Sequence, residues 1–159
     1  MIIIEFLPHK APLTFKNILK YVEEGRYDDF HFYRAVDLKN QKNYNVKIEV
    51  IQGGLGFDKH PNKLPSISHE STNITNIRYL NGTISMARNK QGIANSEIFI
   101  INTNQPNLNY NGKQNPDGKG FTAFEYVISG IQIIKFTHQL PSNNRMLNDP
   151  IKIKSIKRI

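Results

Sequence analysis

Phe15, Ile18, Leu19 and Val22 recur at the i, i+3, i+4, i+7 spacing of a single helix face, which predicts a helix over residues 14–25. Thr14 stands at the N-cap of that helix, and Gly25 supplies the left-handed residue that ends it. A less regular stripe of Ile131, Ile134 and Phe136 predicts a second helix over residues 129–138, with Gly130 near its start. Elsewhere the apolar positions come in short runs. Residues 46–50 alternate with period two, as a half-buried strand does. The apolar start, residues 1–8, reads as a strand. Asn81-Gly82 is a two-residue turn signal between residues 78–80 and 83–86. Residues 98–101, 121–128 and the basic stretch 151–159 read as further strands. Two polar stretches, 55–75 and 102–120, carry no predicted element, and loops of that length in a compact domain are usually functional. Many short strands with two helices predict a closed barrel capped by helices. No repeat or linker interrupts the pattern, so residues 1–159 are expected to form a single domain.

Composition narrows the chemistry. A chain of 159 residues with 38% hydrophobic and 21% charged positions is ordinary globular material, long enough to bury a core. No apolar run approaches the roughly 20 residues of a membrane span. The absence of cysteine excludes disulfides, thiol catalysis and cysteine-based zinc sites. The net charge of +8 is spread along the chain and dense only over residues 152–158, which reads as solvated surface rather than a specific nucleic-acid site. His9, His31, His60, His69 and His138 show no paired ligand spacing, so no metal is expected. Ser85 and Ser96 lack the glycine frame of a nucleophile elbow, and the glycines at 53–56 are not followed by the Lys-Ser/Thr of a phosphate loop. No cofactor is expected.

The remaining signal is an ordered set of motifs: Phe32-Tyr33-Arg34, then Val50-Ile51-Gln52-Gly53-Gly54, Gly82-Thr83-Ile84-Ser85-Met86-Ala87-Arg88, Ser96-Glu97-Ile98-Phe99-Ile100, and residues 115–124. Taken together they resemble the cyclophilin family of peptidyl-prolyl cis-trans isomerases, in particular a bacterial subgroup with a Tyr-Arg pair, an inserted hairpin before Gln-Gly-Gly and Ser-Glu in place of Ser-Gln. The resemblance implies a mainly β fold, a closed antiparallel β-barrel capped by two α-helices. The match begins at the family's second strand, so the first would be missing. It implies Arg34 as catalytic arginine, Gln52 as the glutamine that binds substrate and steadies it, and Phe99 as the floor of the proline pocket. Leu108 and Phe121 would stand at the pocket wall with Val50, while Ala87, Arg88 and Glu97 would line the peptide groove. Departures from the family pattern fall at Glu49 and Val50, Asn107, Phe121 and Glu125.

These residue types suit the reaction. Amide resonance sets a barrier of about 18–20 kcal/mol to rotation about the X–Pro bond, and no covalent bond need be made or broken. An isomerase has only to bind the twisted amide better than the planar forms. In the twisted state the prolyl nitrogen recovers a lone pair, to which a fixed guanidinium can donate. Because arginine does not titrate near neutrality, the rate is expected to be flat between about pH 6 and 8. Glu97 could hold Arg34 by an ion pair. The expected partners are proline-containing peptides and folded or unfolded client proteins, met by a monomer. Cyclosporin is expected to bind weakly, since Asn107 replaces a common aromatic residue. The alternative is a proline-peptide binding or chaperone-like module with little turnover. The chain as given reads as cytoplasmic, or periplasmic should a leader precede it.

Overall fold

The computed structural model describes residues 1–28, 30–89 and 94–159. Among them, eight strands and three helices follow the order β1 (Ile3–Phe6), α1 (Pro12–Glu23), β2 (His31–Val36), β3 (Val50–Gly54), α2 (Thr72–Thr75), β4 (Thr83–Met86), β5 (Ile98–Ile101), β6 (Thr122–Ser129), α3 (Ile131–His138), β7 (Ser142–Asn143) and β8 (Met146–Lys152). A 3-10 turn, Pro106–Leu108, lies between β5 and β6. The strands form one antiparallel sheet in the order β1-β6-β4-β5-β3-β2-β8-β7. That order is open. β1 and β7 stand at its two ends, so the ladder among the described residues is not the closed ring expected from the sequence.

The first helix begins two residues earlier than its stripe suggests. Pro12 occupies its first turn, where a missing N–H costs nothing, and Ala11 is the N-cap without a side-chain bond. The acceptor for the open N-terminus comes from far along the chain: the Glu70 carboxylate takes the Leu13 N–H at 3.1 Å, the Thr14 N–H at 2.8 Å and the Thr14 hydroxyl at 2.7 Å. Thr14 is therefore a buried helical residue and not the cap. Gly25, at φ +65°, ends the helix as read: its N–H bonds Val22 and the Arg26 N–H bonds Tyr21, the Schellman pattern. The buried face is Thr14, Asn17, Ile18 and Tyr21, turned slightly from the apolar stripe.

Three strand expectations are corrected. Over residues 46–50 the ladder starts only at Val50, because the Gln41 side chain takes both backbone groups of Ile48: its Nε2 donates to the carbonyl at 2.7 Å and its Oε1 accepts the N–H at 3.1 Å. Residues 78–80 form no strand; the Thr83 hydroxyl engages the Arg78 and Leu80 carbonyls and the Leu80 N–H. The last strand lies at Met146–Lys152 rather than over 151–159. Phe136, expected in the core, is exposed, and α3 buries Ile134, Thr137 and His138 instead. The helix α2, hidden in a polar stretch, is one short turn with little apolar pattern.

The sheet separates two cores. One, under α1 and α3, contains Ile18, Tyr21, Phe30, Phe32, Ile51, Ile84, Ile100, Phe124 and Ile134. The other, covered by loops, contains Val36, Val50, Ile77, Tyr79, Ala87, Phe99, Ile101, Leu108 and Ala123. Directly opposed residues in neighbouring strands share a face. The row Arg34–Gln52–Phe99–Ser85–Ala123 crosses β2, β3, β5, β4 and β6 on the loop-covered side.

Candidate active site

Arg34 lies on β2 opposite Gln52, which lies on β3 opposite Phe99. Register alone thus brings the three principal residues side by side. The Arg34 Nη1 donates to Gln52 Oε1 at 2.6 Å. Phe99 is 5% exposed, stacked on Tyr79 with centroids 6.2 Å apart and met edge-on by Phe121 at 5.3 Å. Val50, Ala87 and Leu108 belong to the same apolar cluster, with Phe121 packed partly buried against it. Leu108 is fully buried and Phe121 half-buried, so Phe121 is the more open of the two residues expected at the pocket wall.

Arg88 is 7% exposed and its guanidinium is committed. It donates to both carboxylate oxygens of Asp117, at 2.9 and 3.0 Å, and through Nε to the Gly120 carbonyl at 2.9 Å. Its carbon centre also lies 5.3 Å over the Phe121 ring. The side chain therefore braces the 117–121 loop and holds Phe121 in place. The Arg88 ion pair, in turn, keeps the Asp117 carboxyl below its usual range.

Glu97 makes no ion pair with Arg34 in the contacts described; the residue is 1% exposed and reaches the arginine only through Tyr33 and then Gln52. It accepts the hydroxyl of Tyr33, the Ser96 hydroxyl at 3.2 Å and the backbone N–H of Gly56. Tyr33 in turn accepts Gln52 Nε2 at 3.1 Å. The strand register shifts between Phe32 and Arg34, a bulge that lets two neighbours, Tyr33 and Arg34, both reach the one glutamine. Regular alternation would send them to opposite faces. Tyr33 carried no assignment from the sequence; only its place beside Arg34 and the count of residues in a bulge could have flagged it. Gly54, at φ +152°, is what makes room for Glu97, because a Cβ there would collide with its carboxylate.

Burial raises the Glu97 carboxyl above its usual range, opposed by the Tyr33 and Ser96 hydrogen bonds. Burial, and then the neighbouring Glu97, push the Tyr33 phenol well up. The Arg34 guanidinium is lowered by burial and by the nearby Arg145. Arginine's intrinsic basicity still leaves it charged at neutral pH. Asn107, on the 3-10 turn, is exposed, and Glu49 is tied to the end of β5, accepting Thr103 Oγ1 at 3.1 Å. Beside the site an open concavity of ≈ 550 Å³ is lined by Phe57, Asp58, Lys59, His60, Pro61, Lys63 and Asn95; it does not include Arg34 or Phe99. Among the described residues, no three His, Asp or Glu side chains are grouped to hold a metal ion.

The open antiparallel sheet, with Arg34, Gln52 and Phe99 in one row across it, has the cyclophilin fold. The chain belongs to the cyclophilin-type peptidyl-prolyl cis-trans isomerases: the family model described as cyclophilin type peptidyl-prolyl cis-trans isomerase/CLD matches residues 1–158. Among similar proteins, peptidyl-prolyl cis-trans isomerase B of Escherichia coli (strain K12) is 30% identical over 137 residues, 84% of this chain and 75% of its own length. Peptidyl-prolyl cis-trans isomerase cyp18 of Streptomyces antibioticus is 31% identical over 137 residues, 84% of this chain and 74% of its own. The crystal structure of a Cryptosporidium parvum cyclophilin type peptidyl-prolyl cis-trans isomerase superposes with a TM-score of 0.72 at 22% identity, covering 97% of this chain and 88% of that one. The same protein was also solved in the presence of the dipeptide Ala-Pro.

Proposed function

We propose that this chain catalyses rotation about X–Pro bonds in proteins, with Arg34 as the donor to the prolyl nitrogen of the twisted amide. The observation that carries the reading is the row Arg34–Gln52–Phe99, which sets a charged donor next to a buried aromatic floor. The pyrrolidine ring sits against Phe99 and Phe121, with Val50 and Leu108 completing the apolar surface. Ala87 and the backbone at Arg88 flank the extended peptide. Gln52 presents its Oε1 to Arg34 and so fixes where the guanidinium points. The rotating carbonyl side of the bond moves while the ring is held, and the Arg34 hydrogen bond strengthens as the nitrogen becomes pyramidal. Catalysis then rests on differential binding of the twisted state.

The substrates are proline-containing peptides and client proteins, consistent with the structural neighbour having been solved in the presence of the dipeptide Ala-Pro. The exposed polar Asn107, where the family commonly has an aromatic residue, supports weak cyclosporin binding. It also supports the second reading, a proline-peptide binding module with little turnover, because a polar rim gives up apolar contact with the substrate. A protease-coupled assay on an Ala-Pro peptide separates the two. The isomerase reading requires the wild type to exceed the uncatalysed rate and Arg34→Ala to fall towards it. A wild type that binds the peptide without accelerating isomerisation establishes the module instead.

A further inference from the structure

We propose that Tyr33 and Glu97 are positioning residues for Arg34, forming an arm of hydrogen bonds whose polarity dictates which end of the Gln52 amide faces the guanidinium. This rests on the isomerase reading of Arg34 and Gln52; Tyr33, to which the resemblance assigned no role, reaches Gln52 at the β2 bulge.

The argument is one of donors and acceptors. Glu97 is surrounded by donors: the Tyr33 hydroxyl, the Ser96 hydroxyl and the Gly56 N–H, with the Lys63 charge nearby. A carboxylate so placed can only accept. The Tyr33 proton must therefore point at Glu97, which leaves the phenolic oxygen free only as an acceptor. That oxygen is 3.1 Å from Gln52 Nε2, so the amide nitrogen is drawn to Tyr33 and the amide oxygen is turned to the other side. There it meets Arg34 Nη1 at 2.6 Å. Reversing the amide would set N–H against N–H at the arginine and leave two donors facing each other. The seat is built into the backbone as well: Gly54 lacks the Cβ that would displace the Glu97 carboxylate. With 1% of its surface exposed, Glu97 is out of reach of a peptide and acts through the chain of bonds.

An interaction that aligns the transition-state donor affects turnover more than ground-state binding. Tyr33→Phe, which removes one hydroxyl, is expected to lower kcat about tenfold with KM within about twofold. Glu97→Leu is expected to do the same, whereas Glu97→Gln, which keeps an acceptor for the tyrosine, is expected to retain activity within about threefold of wild type. On an Arg34→Ala background Tyr33→Phe is expected to change the residual rate by less than about twofold, since the arm then has nothing to aim. Equal losses in both backgrounds, a raised KM at constant kcat, or full activity in Tyr33→Phe would each overturn the proposal. Nitrogen NMR of the Arg34 guanidinium reads the arm without turnover and so stands apart from the isomerase question. Slowed guanidinium rotation in the wild type and free averaging in Tyr33→Phe are expected. Identical spectra for the two would refute the arm even in a chain that isomerises nothing.

Discussion

Glu125 is buried to 2% exposure in β6, opposite Phe6 on one side and Ile84 on the other, and its Oε1 has no hydrogen-bond partner among the described residues. Desolvation pushes its carboxyl well above the usual range, so the folded protein holds it neutral where the unfolded chain ionises it. Folding above about pH 4.3, where a free glutamate loses its proton, must therefore take up a proton. The contribution to stability is fully present below the unfolded pKa and is lost as pH rises towards the folded one. One bound proton of difference corresponds to a slope of about −1.4 kcal/mol per pH unit in that window. Glu125→Gln has the shape of the neutral acid and cannot ionise. Urea unfolding of both proteins in steps from about pH 4 to 8 reads the difference directly, by linear extrapolation. The stability of the variant relative to wild type is expected to start near zero at the acid end and grow by up to about 1.4 kcal/mol per pH unit. Glu97, raised in the same direction, is present in both proteins and cancels from the difference. Parallel pH curves for the two proteins would mean that Glu125 is solvated or paired in the fold, and would refute the reasoning.

Other substitutions test the frame around the site. Glu70→Ala removes three hydrogen bonds at the start of α1 and leaves buried backbone donors open, so a loss of about 1–3 kcal/mol in urea unfolding is expected. Arg88→Ala frees the 117–121 loop: about 1.5–3 kcal/mol of stability goes with the charged hydrogen bonds, faster proteolytic cutting in that loop follows, and KM rises as Phe121 loses its support. Gly54→Ala forces a side chain onto the Glu97 carboxylate at a positive φ, and is expected to cost about 1–3 kcal/mol while lowering the isomerase rate. A Gly54→Ala protein with unchanged melting and turnover would show that this seat is not used.

The parts of the fold that came through in the sequence are those set by local periodicity. The stripe at Phe15 to Val22 announced α1 and Gly25 announced its end. The start was hidden, because the acceptor that completes it, Glu70, lies 56 residues from Thr14. The alternation at 46–50 was real as a pattern, yet a single Gln41 side chain took the backbone bonds that a ladder would have used. The short turn α2 has too few residues to show a period. Whether the sheet closes is a property of distant strand edges, and no local pattern reports it. Within the site, Arg34, Gln52 and Phe99 were legible through the motif order, and one register row joins them. Tyr33 was not, since a bulge breaks the alternation from which its facing would be read. The role of the Arg88 side chain was equally invisible, because its partner Asp117 lies 29 residues away across a polar loop.

The central claim is that one guanidinium, held beside an aromatic floor, lowers the barrier to rotation. Its most direct measurement is exchange NMR of the cis and trans signals of an Ala-Pro peptide with a catalytic amount of protein, comparing wild type with Arg34→Ala at matched occupancy. The account predicts a fall of about 10²–10³ in the exchange rate of the bound peptide, as for loss of a preorganised transition-state donor, with peptide affinity nearly unchanged. Equal exchange rates for the two proteins would contradict it.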